Sequence, residues 1–235
     1  MNKLFVHIEK QRIIDWLESM EIKNYTINKD FTVDVNGEVN LREKNLLEIP
    51  VQFGVVTGYF FVSNNKNLTS LVGAPKSCEI FSCSGCTSLT SLVGSPEKCK
   101  EFYCHGCASL KNLGGSPKSC EKFYCDRCTS LKSLVGSPEK CKEFSCFGCT
   151  SLSSLVGAPK ECEIFSCSGC ASLTSLNSAP KECEKFSCSG CTSLTSLVGS
   201  PEKCEKFYCY GCADKFTKED VLAVCKAGEI IISRK

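Results

Sequence analysis

The chain reads as a mainly β protein, a solenoid of short parallel strands closed by a cap at each end. Two observations predict this. A 21-residue unit, Cys-x4-Cys-x2-Cys, recurs seven times between Cys78 and Cys212, and a fixed internal period marks a stacked repeat whose turns bury a shared core. Each unit also sets a Phe three residues after its first cysteine and a proline at its corner, as in Cys78, Phe81 and Pro96. That pattern gives one inward strand and one corner without a backbone donor per turn.

The elements follow in order. Residues 1 to about 24 place Leu4, Ile8, Ile13, Ile14, Trp16, Leu17 and Met20 at the spacing of an amphipathic helix that closes over the solenoid's end. From 25 to 62 the pattern alternates through Tyr25, Ile27, Phe31, Val33 and Val35, and Asn36-Gly37 reads as a hairpin turn. The expected organisation is an N-terminal cap over 1–56 (helix, hairpin and first turn), the solenoid over 57–213 and a C-terminal cap over 214–235. In the last segment Thr217-Lys-Glu-Asp220 fits a capping box ahead of Val221, Leu222 and Val224, and Gly228 reads as the helix stop.

The cysteines fall in three columns. The first holds Cys78, Cys99, Cys120, Cys141, Cys162, Cys183 and Cys204; the second Cys83, Cys104, Cys125, Cys146, Cys167, Cys188 and Cys209; the third Cys86, Cys107, Cys128, Cys149, Cys170, Cys191 and Cys212. Cys225 falls 21 residues after Cys204 and continues the first column. The preceding turn keeps the period without cysteine. There Thr57, Val62 and Asn65 take the three column places and Phe60 that of Phe81, so the columns are expected to point inward.

The unit Cys-x2-Phe-x-Cys-x2-Cys-x2-Leu-x2-Leu resembles the leucine-rich-repeat pattern, and Phe-Ser-Cys-Ser-Gly-Cys-Thr-Ser-Leu-Thr-Ser-Leu is similar to the Treponema-type and phage-encoded bacterial repeats. The resemblance covers about residues 38 to 213. It implies a right-handed solenoid with one short parallel strand per turn, a buried Asn or Cys ladder at the Asn65 position, and a broad face for partners. The departure is the cysteine load, since such repeats carry Leu, Val or Asn in two of the three columns.

Composition bounds the function. A net charge of +2 gives no electrostatic reason for nucleic acid. The first residues lack the pattern of a secretory signal and no apolar run approaches the roughly 20 residues of a membrane span. The expectation is a soluble cytoplasmic protein, with no membrane association, in a compartment that keeps thiols reduced. No nucleophile with a matched base and no phosphate loop is visible, so an enzyme is not expected.

Three uses of the thiols stand open. Cysteine packs well as a small apolar group, which suits one column better than three. Disulfides between in-register rungs, about 4.8 Å apart, meet the distance but not the side-chain direction. Metal binding is the reading favoured: thiolates are the soft ligands of iron–sulfur clusters, Zn and Cu(I), and Cys-x4-Cys-x2-Cys is similar to the plant-type ferredoxin spacing. All 22 cysteines are then candidate ligands, holding several clusters, 4Fe-4S by preference, one per two turns along the axis, for electron transfer or storage with a redox partner protein. Zn or Cu(I) thiolate sites are the alternative ligation. A protein-interaction scaffold with reduced structural cysteines is the rival of a different class. The Phe column reads as an aromatic core ladder, and the Lys and Glu after each proline as solvated faces with weak cross-turn pairing.

Overall fold

A computed structural model of the chain describes residues 3–212 and 216–233. A helix, α1 (Lys3–Ser19), leads into β1 (Tyr25–Ile27), β2 (Val33–Val35), β3 (Val39–Asn40), β4 (Phe53–Val56) and β5 (Tyr59–Phe61). Seven further strands follow, one per cysteine unit: β6 (Ile80–Ser82), β7 (Glu101–Tyr103), β8 (Ser119–Tyr124), β9 (Lys140–Ser145), β10 (Ile164–Ser166), β11 (Glu182–Ser187) and β12 (Lys203–Tyr208). A five-residue helix, α2 (Lys218–Leu222), precedes β13 (Lys226–Ile231). β3 and β5 through β13 form one ten-stranded sheet in chain order, all parallel, the wall of a solenoid of about 9 turns. β1, β2 and β4 form a separate three-stranded sheet at the start.

The period of 21 sets the register. Phe81 pairs with Phe102, Phe102 with Phe123 and Phe123 with Phe144, so each Phe lies directly above the last. The rings stack through the core at centroid separations from 5.0 Å (Phe102–Phe123) to 5.8 Å (Phe165–Phe186), all fully buried or nearly so. This is the expected aromatic ladder. Behind it the leucine pairs, such as Leu131 and Leu134, are fully buried. Corners are closed by glycine where the chain passes tightly over the previous turn. Gly94 has φ 93° and an added Cβ would sit 2.6 Å from the Leu71 carbonyl carbon, so only glycine fits without displacement.

Both ends depart from the sequence pattern. The apolar stripe of α1 is buried only in its second half, at Ile13 and Leu17; Leu4 and Ile8 are more than half exposed, and Phe5 meets Phe31 edge to face at 6.3 Å. Trp16 meets Phe53 edge to face at 6.3 Å and Phe53 meets Phe60 at 5.1 Å, which couples the helix to the first ring of the ladder. The hairpin is β1 and β2, but its turn is 28–32 rather than Asn36-Gly37. Asn28 and Asp30 build that turn by bonding Thr32, with Phe31 at φ 65°, a local chemistry no glycine announces. Asn36-Gly37 instead forms the corner where the chain leaves the first sheet for the second, Gly58 donating to the Gly37 carbonyl at 2.8 Å.

At the other end the Thr217–Asp220 capping box is present, as expected. Helix α2 ends at Leu222, and Gly228 lies inside β13 rather than at a helix stop. An added Cβ there would come within 2.9 Å of the Glu205 carbonyl oxygen, so this glycine permits strand-to-strand approach. β13 continues the Phe column with Ile230 against Phe207. Among the described residues no helix is long and apolar enough to cross a membrane.

Candidate functional site

The three columns separate into two environments. Along each strand the Phe and the second cysteine alternate onto the inner face, and the third cysteine follows after a left-handed residue, Gly85 at φ 73° in the first unit. Cys83, Cys86, Cys104, Cys107, Cys125, Cys128, Cys146, Cys149, Cys167, Cys170, Cys188 and Cys191 are wholly buried, and Cys209 and Cys212 nearly so. These two columns form one double file inside the core.

The third column has a single repeated geometry. Each thiol donates to the carbonyl of the residue 24 positions earlier, in the second column of the turn below. Cys107 reaches Cys83 at 3.3 Å, Cys128 reaches Cys104 at 3.1 Å, and Cys212 reaches Cys188 at 3.0 Å. In the turn without cysteine the Asn65 amide makes the same bond, to the Leu41 carbonyl 24 residues back at 2.8 Å, and a second to Val62 at 2.7 Å. The Cys column is therefore the continuation of an Asn ladder in which S–H replaces N–H as donor. Burial pushes Cys86 up to about 12 and holds the second-column Cys125 and Cys104 above the ordinary thiol range, whereas hydrogen bonds from Cys125 and Cys188 hold Cys149 and Cys212 below it.

The first column lies at the edge of the same core, with Cys78, Cys141, Cys162 and Cys204 buried in it. At each rung the ladder skips one residue between the first cysteine and the Phe. Cys120 pairs with Cys141 and Lys122 with Glu143, while the Glu121 and Lys122 amides both turn to the Lys100 carbonyl at 2.7 and 3.1 Å. This bend carries the first cysteines away from the Phe stack to the floor of a groove of about 1000 Å³, running from Cys99 to Cys204 between Lys and Glu side chains. A second hollow of about 590 Å³ extends it past Cys78. Cys99, Cys120 and Cys183 are only partly buried.

The ends of this file also shift. Val55 bridges Ser77, which sets Val56, and not Thr57, at the place of Cys78. Val56 is buried and Thr57 turns outward to bond Gly37 and Asn36, because one extra residue is accommodated before Phe60. In β13 the rung partner of Cys204 is Ala227, so Cys225 leaves the ladder register. Its side chain still folds back, placing Sγ 3.6 Å from that of Cys204. Cys120 and Cys141 likewise approach at 3.9 Å.

An iron–sulfur cube asks for thiolates converging from several sides. Among the described residues no group of three or more His, Cys, Asp or Glu side chains is placed to hold a metal ion. The seven third-column thiols are moreover each engaged with a backbone carbonyl. The columns as folded do not fit a cluster.

Outward strand positions, which read in sequence as free drift, make a patch the sequence reading missed. Because the period places neighbouring turns in register, Tyr103, His105 and Tyr124 come together: Tyr103 and Tyr124 lie 5.5 Å apart, and His105 stacks on Tyr124 at 5.8 Å. His105 Nδ1 lies 3.3 Å from Asp126 Oδ2, and Asp126 accepts from the Phe147 amide at 2.9 Å. The Tyr103 and Tyr124 hydroxyls donate to Glu101 and Glu143. Equivalent strand positions elsewhere carry Phe61, Ser82, Ser145, Ser166, Ser187 and Tyr208. The signal was the clustering of large residues in adjacent units at one repeat position.

No protein-family model, no curated protein and no solved structure matches the chain.

Proposed function

We propose that the chain is a non-catalytic interaction scaffold of the leucine-rich-repeat kind, in which the core cysteines are reduced structural groups. The observation that carries this reading is the third column: seven thiols in the place of the Asn65 amide, each giving its hydrogen to the matching carbonyl. Buried carbonyls need donors, and a small S–H supplies one while packing as an apolar group. The periodic core then needs no inorganic filling.

A scaffold of this kind binds through the outward face of its strands, and the Tyr103–His105–Tyr124 patch is where that face offers rigid aromatic area. Large aromatic side chains with hydrogen-bonding tips are the groups that anchor protein partners. The partner is accordingly a protein or peptide, and a reduced environment suits the buried thiols.

The test has two parts. Chain isolated without oxygen should be colourless, free of iron and sulfide, and should release all 22 cysteines to a thiol reagent on unfolding. Brown protein with acid-labile sulfide would return the thiols to cluster ligation. Peptides selected from a display library against the native chain should lose binding to the Tyr103→Ala, Tyr124→Ala variant with its melting unchanged. Binding that ignores this pair would move the interface elsewhere.

A further inference from the structure

First-column thiols line a groove at the edge of the core, and two pairs of thiols in this file meet sulfur to sulfur. Cys120 faces Cys141 at 3.9 Å and Cys204 faces Cys225 at 3.6 Å. Cys225, outside the ladder register yet folded back onto Cys204, is the residue that makes the number of thiols even.

We propose that this file of thiols binds soft two-coordinate monovalent cations of the Cu(I) class, one between Cys120 and Cys141 and one between Cys204 and Cys225. The ligand set selects the ion. Thiolates choose soft cations, whereas structural Zn²⁺ takes four ligands, and among the described residues no three ligands converge. The span also fits. A metal–thiolate bond is about 2.3 Å, so a cation centred between two sulfurs needs about 4.6 Å, close to the spacing of about 4.8 Å between parallel strands. The observed pairs have to open by less than about 1 Å. Binding is proton exchange without a change of oxidation state: each Cu⁺ forms two Cu–S bonds, two S–H bonds break, and two protons leave to solvent. The resulting unit carries one negative charge, in a groove whose wall carries Lys and Glu in equal number. The site is independent of the strand face proposed above for a partner.

The experiment uses the full reduced chain, metal-free and without oxygen, titrated with Cu(I) delivered as its coloured bathocuproine disulfonate complex. Uptake should saturate at two Cu(I) per chain with two protons released for each. Cys225→Ser should remove one Cu(I). Cys120→Ser with Cys141→Ser should remove the other, with far-ultraviolet circular dichroism and melting near those of the parent. Cys128→Asn, in the core, should leave uptake at two. The proposal is overturned if uptake survives replacement of Cys120, Cys141, Cys204 and Cys225 by serine in a chain that still melts cooperatively, or if Cys128→Asn abolishes it. It is equally overturned if the reduced chain takes no Cu(I) while diamide closes the same pairs as disulfides, which would make the file a redox element.

Discussion

The Cys128 thiol donates to the Cys104 carbonyl, 24 residues earlier, at 3.1 Å, and Asn65 makes the equivalent bond to Leu41 at 2.8 Å. Removing the donor while keeping the volume separates hydrogen bonding from packing. Cys128→Val should strand the Cys104 carbonyl in the core and cost about 1–3 kcal/mol. Cys128→Asn restores a donor and should cost less than the valine variant despite its larger side chain. Urea midpoints of the two variants, compared in one buffer, decide this; equal losses would mean that the column acts by volume alone.

Alkaline pH should unfold the chain in a defined window. Burial raises Cys86, Cys99, Cys183 and Cys209 each to about 12 in the fold, with Cys141 adding to the effect at Cys99 and Cys225 at Cys183. An unfolded thiol titrates near about 8.5. Because the folded values are the higher ones, the folded state holds the extra protons between those limits. The stabilisation is complete below about pH 8.5 and is lost as pH rises towards 12. Melting temperature should therefore fall steadily above about pH 9. The thiolate absorbance should appear together with unfolding, not before it.

The period made much of this legible in sequence: a repeat of fixed length fixes register, so the parallel sheet, the Phe stack and the Asn65-to-Cys86 column follow from residue numbers alone. What the period hid were the places where one residue is added or a strand bends. Val56 replaces Thr57 in the first column because β4 carries one extra residue before Phe60. Cys225 keeps the numerical interval of 21 yet leaves the ladder, because β13 pairs two residues later. The first column looked like the other two, and only the shared acceptor at Lys100 shows that the strand turns it towards a groove. The hairpin turn was missed for a different reason: its fold is written in Asn28 and Asp30 side-chain bonds, not in a glycine.

Ser178 should be replaceable by glycine with a gain. It has φ 75° at a corner where the neighbouring turns carry Gly157 at φ 92° and Gly199 at φ 86°. A residue with a Cβ pays about 1–2 kcal/mol in this region, part of which glycine returns through its freer unfolded chain. Ser178→Gly should raise stability by up to about 1 kcal/mol. The mirror substitution, Gly157→Ala, brings Cβ to 2.5 Å from the Leu134 carbonyl carbon and should destabilise. Chemical denaturation of the pair with opposite signs is the expected result; a serine-to-glycine loss would place a function for the hydroxyl at that corner.

Phe144 lies in the middle of the ring ladder, 5.5 Å from Phe123 and 5.4 Å from Phe165, so its removal tests how far one turn's packing is felt. Phe144→Ala takes away a large buried side chain and opens a cavity that two stacked neighbours cannot fill without leaving their own columns. The cost should be about 3–5 kcal/mol. A solenoid's contacts are between adjacent turns, so the damage should be local in the native state. Amide exchange should accelerate in β8, β9 and β10 while β5 and β12 keep their protection. Uniform acceleration across all strands would show instead that the ladder unfolds as one cooperative unit, with the rings of distant turns energetically joined through the stack.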